Sequence, residues 1–173
     1  MIQKCSNWIV LKEFLENPLK KFFIREISRS INLAPTSVKI HITELLDKNL
    51  IKRTEGLYTQ YIANFENEIF RFYKVMNNLI KIRESGLIDY LNDSAQPDTI
   101  ILFGSTSKGE DLKESDIDIF LQSNIKKIDV SKFEEILGKQ IQLFCHDNFK
   151  KIPEELKLNI INGIKLGGYI DPW

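Results

Sequence analysis

Two aspartates and a Gly-Ser pair are the residues whose types and spacing could do chemistry in this chain. They lie within Ile100 to Phe120, IILFGSTSKGEDLKESDIDIF. An apolar run, Ile100 to Phe103, ends at Gly104-Ser105. Ten mostly polar, glycine-containing residues follow, and Asp116-Ile117-Asp118 then opens a second apolar run through Leu121. Residues i and i+2 of a strand project from one face, so Asp116 and Asp118 can hold a single divalent cation. Glycine has no Cβ, so the backbone N–H groups at Gly104-Ser105 can approach a phosphate closely. Asp116 and Asp118 alternate with Ile117 and Ile119, an order that a solvated surface hairpin would not need.

Gly104-Ser105, a ten-residue gap and Asp116-x-Asp118 with an apolar run on each side together resemble the signature of the polymerase β-like nucleotidyltransferases, above all their minimal, stand-alone members. The resemblance implies that Gly104, Ser105 and, by position, Lys108 contact the phosphates of an NTP. It also implies that Asp116 and Asp118 are the catalytic pair and hold Mg2+ or Mn2+. Members of that family normally carry a third carboxylate on the next strand. The matching stretch here is Ile141-Gln142-Leu143, which puts a neutral amide in its place. Asp147, five residues on, is the nearest acid that could substitute.

Three readings stay open from these residues. The chain transfers a nucleoside monophosphate from an NTP to an acceptor; it binds nucleotide without turnover and signals to the rest of the chain; or it keeps the fold as an interaction scaffold. Relatives in the minimal group transfer nucleotides to partner proteins, antibiotics or RNA, and nothing in the sequence selects among these. A partner protein is therefore one candidate acceptor.

The elements around this stretch begin with an amphipathic helix over Cys5 to Glu16. Trp8, Ile9, Leu11, Phe14 and Leu15 form its apolar stripe, Ser6 or Asn7 caps it, and Asn17-Pro18 stops it. Next come a short helix over Ile24 to Ser30, a turn at Asn32 to Pro35, and a second helix from Pro35 to about Lys48. A ribbon follows, with strands over Leu50 to Arg53 and Leu57 to Ile62 about a turn at Glu55-Gly56. This series resembles a winged helix-turn-helix of the kind found in many prokaryotic regulators. On its second helix Val38, Ile42, Leu45 and Leu46 would pack inward.

Thr36, Ser37, Lys39, Ile40 and Thr43 would then face DNA, with Lys52 and Arg53 of the wing reaching phosphates. Winged helices also serve as protein-interaction modules, and this one has no basic run. His41 is expected as a partly buried flank residue.

Phe65 to Glu84 reads as a helical connector with Phe65, Ile69, Phe72, Val75, Met76, Leu79 and Ile82 at helical spacing. Such a helix either bridges domains or pairs with its twin in a homodimer. A short helix over Leu87 to Leu91 precedes a joint at Ser94 to Pro97. Beyond the central stretch, the sequence predicts a helix over Lys132 to Leu137 capped by Ser131 with Glu134 in a capping box, a strand over Gln140 to His146, a helix from Pro153 to Ile161, and a last strand within Ile164 to Ile170.

The predicted fold class is α+β. A winged helix-turn-helix occupies residues 1–63, a helical connector 64–96, and a minimal nucleotidyltransferase core with a small mixed sheet flanked by helices 97–173. Residues 1–63 carry ten Lys/Arg against six Asp/Glu, and residues 64–173 carry fourteen against eighteen. Halves of opposite sign suit one part that meets a polyanion and another that collects metal ions. Composition is that of an ordinary globular protein, 43% hydrophobic and 28% charged, which excludes a disordered chain. No apolar run is long enough for a membrane span, and the start has no small-residue cleavage site, so a cytoplasmic protein is expected. Cys5 and Cys145 lack metal-site or disulfide spacing and are expected as small buried apolar residues.

Overall fold

The computed structural model describes residues 5–125 and 127–169. The chain divides into two compact units on either side of Asn77 and Asn78.

The first unit contains α1 (Ser6–Glu16), α2 (Ile24–Ser30), α3 (Pro35–Asp47), β1 (Ile51–Thr54) and β2 (Gln60–Ala63), and it reaches into α4 (Glu68–Glu84). Its core draws Trp8, Val10, Leu11, Phe14 and Leu15 from α1, Ile27 from α2, and Val38, Ile42 and Leu45 from α3. The α3 spacing of four and three residues is the inward stripe expected of an amphipathic helix. Pro35 stands at the first turn of α3, where its missing N–H costs nothing. β1 and β2 pair antiparallel from Ile51↔Ala63 to Thr54↔Gln60, so the ribbon starts one residue later at β1 and three later at β2 than the sequence pattern suggests.

Three sequence expectations fail wholly or in part in this unit. Cys5 is exposed and stands before α1 without a side-chain cap bond; neither Ser6 nor Asn7 caps the helix. On α4 the dry face follows the apolar stripe only at its C-terminal end, where Ile82 is buried and Leu79 packs against the same core. Phe70, Lys74 and Asn77 are buried, whereas Ile69 and Phe72 are more than half exposed. The polar members of the buried face make this tolerable: Lys74 Nζ donates to Leu15 O at 2.8 Å, satisfying a carbonyl at the C-terminal end of α1.

The second unit holds the remainder of α4, α5 (Leu87–Ala95), β3 (Thr99–Phe103), α6 (Gly104–Lys108), β4 (Ile117–Gln122), α7 (Ser131–Leu137), β5 (Ile141–His146), a 3₁₀ turn over Phe149–Lys151, α8 (Glu154–Ile161) and β6 (Ile164–Gly168). The strands form one mixed sheet in the order β5-β4-β3-β6, with β4 and β5 parallel and the other pairs antiparallel. Alternation divides the strands between two cores. Ile100, Leu102, Ile117, Ile119, Leu121 and Ile141 pack with Ile82, Leu87, Ile88, Leu91, Phe133 and Leu137. Ile101, Phe103 and Phe120 face the other way, onto Phe149, Ile152 and Ile160.

Here too details differ from the sequence expectation. The residues after Gly104 are not all loop, because Gly104–Lys108 forms a short helix closed by Gly109 in the left-handed region. α5 runs to Ala95, past the expected end at Leu91. Ser131 does not cap α7: its Oγ donates to Asp129 Oδ1 at 2.6 Å, and Glu134 Oε1 accepts from Ile141 N instead of closing a capping box. Ile170 lies outside the described residues.

Candidate functional site

The β3–α6–β4 segment brings the Gly-Ser bend against the aspartates. Phe103 and Asp118 are register partners across β3 and β4, and Asp118 and Gln142 are partners across β4 and β5. The row Phe103, Asp118, Gln142 therefore lies on one face of the sheet. Asp116, two residues before Asp118, joins it through a hydrogen bond, Gln142 Nε2 donating to Asp116 Oδ2 at 2.5 Å. The Phe103 ring packs edge-to-face on Phe144 at 5.2 Å between centroids, which closes the apolar side of this row.

Gly104 sits at φ +70, and a Cβ built there would fall 2.2 Å from Asp118 Oδ2. The absent side chain is what lets the Asp118 carboxylate and the bend share one space. Ser105 is partly buried and Lys108 exposed. Ser107 Oγ donates to Gly104 O at 2.8 Å, holding the first turn of α6. Thr106, 2% exposed, donates its hydroxyl to Asp116 O at 3.1 Å.

Burial pushes the Asp118 carboxyl above the usual aspartate range, and the negative charge of Asp116 adds to the shift. Two acids crowded in this way are a poor arrangement for an apo protein and a good one for a divalent cation, whose charge would relieve both effects. The donor set at the row is two carboxylates and an amide, all hard oxygen ligands once the amide turns its oxygen inward. That set suits Mg2+ or Mn2+ and not a soft metal.

Asp147 does not replace the missing third acid. Parallel pairing sets Gln142 beside Asp118 and leaves Asp147 about 17 Å further along the strand direction. There it is exposed and pairs with Lys151 at 3.7 Å. Among the described residues no group of three or more His, Cys, Asp or Glu side chains could hold a metal ion, because the third position of the row is Gln142.

Residues 84–163 match the family model of a nucleotidyltransferase domain. The matched span contains Gly104, Ser105, Lys108, both aspartates and Gln142. Neither the curated proteins nor the solved structures give a significant match. No helix among the described residues is long and apolar enough to cross a membrane.

The sequence pattern does not reveal the buried polar residues that hold the segment before Asp116. Asp111 is 1% exposed and accepts from Lys139 Nζ at 2.6 Å and from Asn78 Nδ2 at 2.8 Å. No periodicity marks an acid in a polar stretch as buried; its partners are 28 and 33 residues away.

In the first unit, Thr36, Lys39, Ile40 and Thr43 are exposed along α3, Ser37 is partly buried, and Lys52 and Arg53 are exposed on β1. Several already have partners. Thr43 Oγ1 donates to Lys39 O at 3.0 Å, Lys52 Nζ to Glu66 Oε2 at 2.8 Å, and Arg53 to Thr59 Oγ1 at 2.9 Å. His41 is partly buried, with Nδ1 at 3.4 Å from Glu44 Oε2.

Proposed function

We propose that this chain is a metal-dependent nucleotidyltransferase that moves a nucleoside monophosphate from an NTP to an acceptor, joined to an N-terminal winged helix-turn-helix that binds DNA. The observation that carries the first part is the close approach of Asp118 to a side-chain-free Gly104, with Asp116 held beside them. Asp116 and Asp118 would hold Mg2+ or Mn2+, with the Gln142 amide as a neutral neighbour. The cation supplies charge neutralisation for the triphosphate and lowers the pKa of the attacking hydroxyl. Gly104 and Ser105 receive the phosphates through backbone N–H groups and the Ser105 hydroxyl, and Lys108 reaches them from the end of α6. The acceptor's hydroxyl oxygen bonds to the α-phosphorus, pyrophosphate leaves with the electron pair of the broken P–O bond, and the hydroxyl proton passes to solvent.

A second reading is favoured by one observation, the amide at position 142. An amide cannot take a proton from a hydroxyl, and the Gln142 Nε2–Asp116 bond occupies one carboxylate oxygen. On this reading the domain binds NTP and cation without turning them over, and nucleotide occupancy regulates DNA binding. Incubation of the intact chain with Mg2+ and α-labelled ATP, in the presence of RNA and protein acceptors, separates the two. Transfer of label with pyrophosphate release, lost in Asp116→Asn/Asp118→Asn, supports the enzyme. Nucleotide binding with no transfer, and transfer gained in Gln142→Glu, supports the sensor. No binding at all contradicts both.

For DNA binding the support is the exposed face of α3, with Thr36, Lys39, Ile40 and Thr43, followed by an antiparallel ribbon carrying Lys52 and Arg53. Ile40, 60% exposed, suits a thymine methyl, and Lys39 a phosphate or base edge. The expected dependence on salt is the test: log affinity should fall linearly with log salt concentration. The remaining pieces of the account are residence in the cytoplasm of a prokaryote, a partner protein as one acceptor, and a homodimer formed along α4.

A further inference from the structure

We propose that Asn78, Thr106, Asp111 and Lys139 are positioning residues that set the place of Asp116 relative to Gly104, an inference that rests on the metal-site reading above. The segment from Gly109 to Asp116 has no regular secondary structure, yet it must deliver Asp116 to the row formed by Asp118 and Gln142. It is pinned in the middle. Asp111 is buried, its Oδ2 accepting from Lys139 Nζ at 2.6 Å and its Oδ1 from Asn78 Nδ2 at 2.8 Å. Lys139 also donates to Leu112 O at 2.7 Å, so one ammonium holds two consecutive residues of the segment.

The hold is passed on by Thr106. Asn78 Nδ2 reaches Thr106 O at 3.2 Å as well as Asp111. Thr106 Oγ1 in turn donates to Asp116 O at 3.1 Å. A chain of hydrogen bonds thus runs from α4, through α6, to the backbone carbonyl of Asp116, the residue that carries the first metal-site carboxylate. Its second anchor, Lys139, lies in the connection between α7 and β5, three residues before Gln142 on β5. Burying a carboxylate with an ammonium gains little net stability over an apolar pair of equal volume. What the arrangement supplies is a fixed geometry for a segment that lacks a ladder of its own. Groups of this kind orient metal ligands, and their loss typically costs about 10–100-fold in metal affinity.

Thr106→Val tests this with a near-isosteric change that removes only the hydroxyl; Thr106→Ser keeps it. Binding of Mn2+ in the presence of ATP, followed by the loss of the free-ion resonance, is read on the intact chain beside the thermal unfolding midpoint. The proposal expects Thr106→Val to bind Mn2+ about tenfold more weakly at an almost unchanged midpoint, with Thr106→Ser restoring wild-type affinity. Wild-type affinity in folded Thr106→Val overturns it, as does equal weakening in both variants. A wild-type chain that takes up no Mn2+ with ATP overturns the metal-site reading itself and this proposal with it.

Discussion

Asp118 leaves no room for a side chain at position 104: a Cβ there would lie 2.2 Å from Asp118 Oδ2 and 3.2 Å from its Cγ. Gly104 is also at φ +70, a left-handed conformation that costs a non-glycine residue roughly 1 kcal/mol or more. Gly104→Ala therefore has to turn the Asp118 carboxylate away from the bend. The expected outcome is a loss of about 1–3 kcal/mol in denaturant unfolding together with loss of Mg2+-dependent ATP binding, both measured on the same preparation.

Asp118 also predicts a pH dependence for the metal-free chain. Its folded carboxyl is raised, first by burial and then by Asp116. The folded state thus holds that proton more tightly than the unfolded chain does. Its contribution is fully present below the ordinary aspartate range and is lost as pH rises through the raised value. Asp118→Asn removes this decline. The variant should melt about 2 °C higher than the wild type at neutral pH without metal, and the difference should vanish in acid. Saturating Mg2+ should stabilise only the wild type.

Lys139→Met removes the cation closest to a buried carboxylate. The account expects it to cost about 3 kcal/mol, and Asp111→Asn in the same chain to recover part of that loss. Chemical denaturation of the two single variants and the double variant gives the coupling. Simple additivity would show that the 2.6 Å pair has no energetic role.

The ion pairs of the first unit qualify which cations DNA should feel. Lys52 is already held by Glu66, whose carboxyl it keeps below the usual glutamate range. Lys39→Ala should weaken DNA binding and lower the salt slope by about one unit. Lys52→Ala should do less, and Glu66→Gln should strengthen binding by releasing Lys52. Fluorescence anisotropy with one duplex across a salt series reads all three. An affinity that ignores salt would point to a protein partner for this face.

Local pattern carried the sequence reading a long way in some places and not in others. The strands flanking Gly104-Ser105 and the Asp116-x-Asp118 alternation were legible because a period of two in Ile and Asp has few other uses. Gln142 could be placed beside the aspartates because the resemblance implies a third acid within an apolar run on the next strand, and the structure pairs it with Asp118. Along α4 the apolar residues and the buried face differ in part: Lys74 is inside, its ammonium donating to the distant Leu15 carbonyl, a bond that no spacing announces. The same holds for Asp111, a buried acid in a polar run whose burial depends on partners far along the chain. Ser131 looked like a cap from its neighbours, but Asp129, two residues back, takes its hydroxyl.

The most direct test of the central claim is calorimetric titration of ATP into the intact chain, with Mg2+ and with chelator, for the wild type and Asp116→Asn/Asp118→Asn. The account predicts binding that requires Mg2+ and falls by at least about 100-fold in the double variant, a loss of roughly 2.7 kcal/mol. ATP affinity that is the same with chelator, or unchanged when both carboxylates are gone, would contradict it.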